Sequence, residues 1–322
     1  MRWMVEGELR RFERPDLAWA QVTGADRLRF LHAMLTNTVL GLAVGEGNRS
    51  LLLSSKGRVV ADCLLLVEEE GVQLGCDTAA LEGLLSGLDH YLVADEVELE
   101  PVDRETQHLV GEGARRHLET LLGQAPPTTP GHHLRAGDLR IVSRPVGSTP
   151  GWLLVGAAGA QRDASLDLPL EEAVTLEALR IAAGEPAWSS EVGKGVFPQE
   201  VGLDACLHPT KGCYLGQETM VRIETQGQVR WSLVGLTLEG GLPAPGDRVS
   251  MAGEGEKEIG EITSIARAPE GGQPIALARL RREQATEGTA VQVAGEHHPL
   301  SAVVVSLPFP GKKTQAIRSG LG

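Results

Sequence analysis

Lys211-Gly212-Cys213-Tyr214-Leu215-Gly216-Gln217-Glu218 gathers a cation, a thiol, two glycines, an aromatic ring and a carboxylate into eight residues. A cysteine beside a fixed positive charge is drawn toward thiolate, and flanking glycines let the backbone turn tightly or approach a partner closely. That describes a site. The same residues also read as a glycine-bounded turn whose cysteine is buried as a small hydrophobe. The chemistry of the octet alone leaves both readings open.

Outward from it lie Leu179-Arg180-Ile181-Ala182-Ala183-Gly184-Glu185-Pro186 and Pro198-Gln199-Glu200-Val201-Gly202-Leu203, then Arg222, Gly227 and Leu233-Val234-Gly235-Leu236. Further off stand Gly24-Ala25-Asp26-Arg27, Phe30-Leu31, Thr36-Asn37, Lys56-Gly57-Arg58 and Tyr91-Leu92-Val93. In composition and spacing this pattern resembles the YgfZ-type tetrahydrofolate-binding proteins, with their signature K-G-C-[FY]-x-G-Q-E. These are iron–sulfur cluster assembly or repair factors related to the glycine-cleavage T-protein (aminomethyltransferase) family. The resemblance implies a T-protein-like α+β fold: two intimately packed mixed antiparallel α+β units around a central folate pocket, plus a small C-terminal β-barrel. It places the folate-binding region in residues 1–230, with one unit discontinuous and the other roughly 45–125, and the barrel in 231–322. The implied cofactor is tetrahydrofolate or another reduced folate. The implied partners are iron–sulfur enzymes or cluster carriers, such as radical-SAM tRNA-modifying enzymes, met transiently.

By the same resemblance Cys213 and Lys211 are the catalytic candidates. Arg180, Gln199, Glu200, Tyr214, Gln217, Glu218 and Arg222 are the folate-binding candidates, and no metal is expected. A reduced folate wants apolar walls, a carboxylate or backbone edge and a cation, all of which these residues offer. Each has a plainer alternative. Arg180 and Glu200 can pair with each other or with helix ends, and Lys211 can point into solvent. Tyr214 can stack on a pterin or fill core, as can Trp152, Trp188 and Trp231. Gln217 and Glu218 can hold the loop rather than touch ligand, and Cys206 reads as structural.

A folate-dependent aminomethyltransferase is the competing enzyme reading. The T-protein pattern carries paired aspartates after a glycine-rich turn, whereas this chain has Gly57-Arg58-Val59-Val60-Ala61-Asp62 and one carboxylate. Where a T-protein strand places a glutamate, Gly151-Trp152-Leu153-Leu154-Val155 is apolar. Asp62 can serve as a general base only if buried. The resemblance therefore favours a non-classical accessory factor over a one-carbon transferase. A thiol-based redox or transfer enzyme centred on Cys213 would need a histidine or resolving cysteine nearby, and His208 is the nearest histidine in sequence. His132-His133 and His297-His298 lack ligand spacing.

The 322 residues suggest two or three packed units, and with 42% hydrophobic residues each can bury a core. A formal charge of −13 argues against general electrostatic binding to nucleic acid or anionic membrane. Cys63, Cys76, Cys206 and Cys213 show no CxxC or Cys/His spacing, which predicts reduced thiols and no zinc site or stably bound cluster. The start, Met1-Arg2-Trp3-Met4-Val5-Glu6-Gly7-Glu8, has no apolar signal core, and no run reaches membrane-spanning length. The expectation is a soluble cytoplasmic protein.

Leu28, Leu31 and Leu35 fall at helical spacing. Leu51–Leu53 and Val59–Val67 read as a hairpin over Ser54-Ser55-Lys56-Gly57, and Val72–Leu74 as a third strand. Leu81, Leu84, Leu85 and Leu88 make a helical stripe, and Val97 and Leu99 alternate as in a strand. Beyond Asp103 the pattern predicts a helix near Leu118–Leu122, a surface loop over Ala125–Gly131, strands at Leu139–Val142 and Trp152–Val155, and a helix over Leu170–Ala183. From Trp231, apolar runs at Leu233–Leu238, Ile259–Ile265, Ile275–Leu280, Val291–Val293 and Ala302–Val305 between glycine- and proline-rich turns predict the barrel, and Lys312–Gly322 a frayed tail.

Overall fold

A computed structural model describes residues 8–310 except 161–167, 194, 228, 254–256, 270–271 and 296–297. The tail at 312–322, His297 and Met1–Gly7 lie outside the described residues. In chain order the elements are β1 (Arg10–Glu13), β2 (Leu17–Thr23), α1 (Arg27–Met34), β3 (Gly47–Leu53), β4 (Val59–Val67), β5 (Val72–Asp77), α2 (Thr78–Asp89), β6 (Glu98–Val102) and β7 (Glu105–Val110). There follow α3 (Glu112–Leu122), β8 (His133–Ala136), β9 (Leu139–Ser143), β10 (Gly151–Gly156), α4 (Ala173–Ala183) and α5 (Gln217–Gln226). The last strands are β11 (Trp231–Leu238), β12 (Arg248–Met251), β13 (Glu258–Arg267), β14 (Pro274–Arg281), β15 (Ala290–Val293) and β16 (Leu300–Val305).

Three sheets result, with antiparallel pairing throughout the named strands. One sheet has the order β3-β4-β5-β2-β6 and the other β1-β7-β10-β9-β8. The division between them falls after Val102, so residues 45–125 hold parts of both, and β1 reaches back to make the second sheet discontinuous. The third is a closed barrel, β11-β14-β13-β12-β15-β16. This is the mixed α+β architecture with a C-terminal barrel that the sequence predicts.

Strand β4 shows how pattern becomes packing. Ala61, Cys63 and Leu65 face α1 and α2, where they join Leu31, Leu35, Leu84 and Leu88 in one buried cluster. Leu64 and Leu66 face the other way and meet Trp19, Val142, Leu153 and Val155 between the two sheets. The two-residue period thus serves both layers at once. Asp77 starts α2 by accepting the Ala79 N–H at 2.8 Å. Helix α4 begins at Ala173, later than Leu170, and ends at Gly184, whose φ of +73° suits the left-handed cap. Its Ile181 and Ala182 pack on Ile275, Leu277 and Phe309, which joins the helix to the barrel.

Between α4 and α5 the chain forms a strap that crosses the second face of β3 and β4. Val192, Val196, Val201, Leu203, Cys206 and Met220 bury Leu51, Leu53 and Val59 there. Single 3-10 turns at Pro198–Glu200 and Asp204–Cys206 bend it.

Candidate functional site

The octet sits where the strap meets the C-terminal end of α1. Lys211 Nζ donates to the Leu35 carbonyl at 2.7 Å and also to that of His32, two of the orphan acceptors that end a helix. His32 answers from the helix. Its Nδ1 accepts from the Val39 and Leu40 N–H groups, so the proton lies on Nε2, which donates to the Lys211 carbonyl at 2.9 Å. The Leu215 N–H adds a bond to Ala33 at 3.2 Å. Thr36 Oγ1 donates to the Cys206 carbonyl at 2.7 Å and accepts the Leu51 N–H at 2.9 Å. Burial brings the Lys211 ammonium down to about 8, and the charge of Cys213 beside it opposes that fall. The ammonium also lies 5.2 Å from the Tyr214 ring centroid, within cation–π range.

Of the four cysteines Cys213 is exposed, and the other three are buried. Burial pushes the Cys63 thiol well up, that of Cys76 up to about 12 and that of Cys206 up to about 11. Their burial disfavours the thiolate, the reactive form. Cys206 packs in the strap core, as its structural reading has it. Gly216 holds φ +83° and passes so close to the hairpin that a Cβ there would lie 2.6 Å from the Ser54 carbonyl oxygen. Tyr214 is half-buried against the strap core; Glu218 and Arg222 are exposed on α5, and Gln217 is half-buried.

Gln199 and Glu200 approach the same core from the first 3-10 turn. Glu200 is buried, accepts the Phe197 N–H at 3.0 Å and has Arg58 Nη1 at 3.7 Å. Arg58, which the sequence pattern includes without a site role, stacks 3.6 Å over the Phe197 ring. Gln199 Nε2 lies 3.6 Å from Met220 Sδ, and its buried Oε1 has no hydrogen-bond partner among the described residues.

Arg180 is elsewhere. Its five N–H groups go to Glu177, the Glu185 carbonyl, Glu191 and Ser264. Glu191 has a fully buried side chain and accepts from Ser264 Oγ at 2.6 Å and the Ala187 N–H at 3.0 Å. The guanidinium therefore ties α4 and the strap to β13 of the barrel, and each of its N–H groups has a protein acceptor. It pairs with Glu191 and Glu177 rather than with Glu200.

Asp62 is gripped through both oxygens by Arg49. His208 spends Nδ1 on the Thr210 N–H at 3.3 Å, so the imidazole bonded to the octet is that of His32. No sequence spacing marks His32 or Arg49, because their partners lie on other elements. Among the described residues no group of three or more His, Cys, Asp or Glu side chains could hold a metal ion. No described helix is long and apolar enough to cross a membrane. A cavity of about 200 Å³ opens between Ser189–Gly193 of the strap and barrel residues Leu233, Glu261, Thr263 and Arg279.

Residues 232–310 match the family model of the glycine cleavage T-protein C-terminal barrel domain. The crystal structure of the glycine cleavage system aminomethyltransferase T from Bartonella henselae superposes with a TM-score of 0.85, covering 95% of this chain and 87% of that one at 18% identity. The fold is that of the T-protein. Among sequence relatives, a chloroplastic protein of Arabidopsis thaliana named as a "putative transferase" is 25% identical over 90% of this chain and 68% of its own length. The aminomethyltransferase of Geobacillus kaustophilus is 28% identical over 89% of this chain and 83% of its own. That of Moorella thermoacetica is 38% identical over 41% of this chain and 36% of its own. The chain is thus related to the T-protein along most of its length.

Proposed function

We propose that this chain is a cytoplasmic tetrahydrofolate-binding accessory protein that supports assembly or repair of iron–sulfur clusters in client enzymes, such as radical-SAM tRNA-modifying enzymes, through Cys213. The observation that carries the reading is the contrast among thiols. One cysteine is exposed, on a loop whose cation is tied to α1, while the other three are buried. A fixed loop with a single accessible sulfur suits transient handling of a soft metal or cluster fragment.

The residues fit a reduced folate at one telling point. Gln199 Oε1 is buried with no donor among the described residues, a cost that an N–H of a bound pterin would relieve. Tyr214 offers a half-buried ring face, and Arg222 an exposed cation for a carboxylate tail. Gln217 and Glu218, in the first turn of α5, would steady the loop. Glu200 would act through its hold on Phe197 and Arg58. When bound, the folate supplies a nitrogen that carries one-carbon units.

The relatives named aminomethyltransferase favour a second reading, transfer of a one-carbon group to tetrahydrofolate. Asp62 is the carboxylate that reading needs, and its pairing with Arg49 commits both oxygens elsewhere.

Anaerobic calorimetry with tetrahydrofolate, on the wild type and Cys213→Ser, tests the first reading together with complementation of a null strain. Expected are saturable binding by both proteins and loss of cluster-enzyme activity in cells carrying Cys213→Ser at normal abundance. Full complementation by Cys213→Ser removes the thiol role, and absence of binding removes the folate. Turnover of an aminomethyl donor would establish the second reading.

A further inference from the structure

We propose that Cys63 and Cys76 form an oxidative modification site, where a peroxide installs an intramolecular disulfide across the β4–β5 hairpin. The two strands pair without a register shift from Cys63↔Cys76 through to Val67↔Val72, so the cysteines stand directly opposite each other. Both side chains enter the cluster that α1 and α2 cover, and therefore lie on one face of the sheet. Cys206 and Cys213 lie outside the paired strands and have no such neighbour.

The kind of pair follows from the turn. The Glu68 N–H donates to the Gly71 carbonyl at 2.9 Å, which makes Glu68 and Gly71 a hydrogen-bonded pair. The two kinds alternate along an antiparallel ladder. Leu66↔Gln73 and Leu64↔Gly75 are thus hydrogen-bonded, whereas Val67↔Val72, Leu65↔Leu74 and Cys63↔Cys76 are not. In a non-hydrogen-bonded pair the Cα atoms are about 4.5 Å apart and the side chains at their closest, within the ~4.4–6.8 Å that a disulfide spans. The bridge needs rotation of two side chains and no separation of the strands. Electrostatics agree with this proximity: after burial, the charge of Cys76 does most to push the Cys63 thiol up, ahead of Asp62 and Cys206. What the bridge displaces is small, a thiol donating to the Ser50 carbonyl at 3.4 Å.

The chemistry balances with hydrogen peroxide as the oxidant. One cysteine thiolate attacks the peroxide and becomes a sulfenic acid, releasing hydroxide. The facing sulfur then displaces the sulfenic hydroxyl, so two thiols and one peroxide give one disulfide and two waters. Burial slows the first step by disfavouring the thiolate, and the reaction proceeds through local opening of the sheet. Once formed, the bridge fastens β4 to β5 beneath α1 and α2 and makes the oxidised protein the harder to unfold. None of this depends on a folate or on Cys213.

The test uses Cys213→Ser, so that no exposed thiol gives mixed or intermolecular products. The folded protein is held with excess hydrogen peroxide in urea below its unfolding midpoint, where local opening admits the oxidant, and the remaining thiols are then alkylated. Cleavage after glutamate cuts between the cysteines at Glu68, Glu69 and Glu70, so their peptides stay together only through a disulfide. Expected are a linked Cys63–Cys76 pair and a melting temperature that falls by roughly 3–10 °C when dithiothreitol opens the link. Cys76→Ala in the same background should show neither the link nor the fall; if it fails to fold, Cys63→Ala serves instead. Absence of the linked pair, linkage of either cysteine to Cys206 in its place, or a link whose opening leaves the melting temperature unchanged overturns the proposal.

Discussion

Arg180 and Glu191 lie eleven residues apart and bond directly, and a serine from the barrel bonds to both. With a fully buried carboxylate on one side, removal of the cation alone is the costly change. Arg180→Met should destabilise the protein by about 3–5 kcal/mol, and Arg180→Met with Glu191→Leu should recover most of that, in urea unfolding of all three proteins. A loss below 1 kcal/mol, roughly the value of an exposed pair, would mean that the network is solvated. The sequence shows a cation in the last turn of a helix and a family resemblance that makes it a ligand contact. Its partner Ser264 lies 84 residues on, and no local pattern announces a partner at that distance. For Cys213 the residues alone left an exposed site and a buried turn equally open, and the structure places the thiol in the exposed one.

Among the elements, the close passage of α5 over the β3–β4 hairpin rests on Gly216. Gly216→Ala should cost about 1–3 kcal/mol, since it meets both the positive φ and the Ser54 carbonyl. Gly212 is the control: its φ is +100°, but a Cβ there has nothing within 4 Å. Gly212→Ala should therefore be the milder change in urea midpoint, and equal losses would make backbone conformation the whole effect. Long apolar runs such as β4, β13 and β14 are readable in the sequence because their alternation or continuity exceeds turn length. Strand β12 is not, since Arg248 and Ser250 flank Val249 and its register shifts at a bulge. Strands β1, β7 and β8 are hidden for a like reason. They carry His108, Gln107, Arg10 and Arg135, whose pairing partners, and not their own polarity, make them strands.

For the whole molecule, a buried histidine contributes to the response to acid. His108 is buried, donates from Nε2 to the Arg144 carbonyl at 2.7 Å, and has a pKa brought down to about 3, first by burial and then by Arg14. The unfolded chain binds that proton at an ordinary histidine value, so its affinity for protons exceeds the folded state's. The neutral ring's contribution is complete above roughly pH 6.5 and is lost as pH falls from there toward 3. Unfolding free energy of the wild type should thus drop more steeply over roughly pH 6.5 to 4 than that of His108→Gln, which cannot take the proton. Parallel slopes would remove His108 from the acid response.

The seam between α1 and the strap also has a history written into it. His32, Ala33, Thr36 and Leu51 are made early, whereas Lys211, Leu215 and Cys206 leave the ribosome some 170 to 180 residues later, as the separations of 170, 176 and 179 residues require. At ordinary synthesis rates of about 5–20 residues per second, the first sheet waits roughly 10–40 s for its cover. Until then the helix-end carbonyls, and Leu51 and Leu53 of β3, lack the cover that the strap provides. A nascent chain halted before residue 206 is therefore the form that would hold a ribosome-bound chaperone longest.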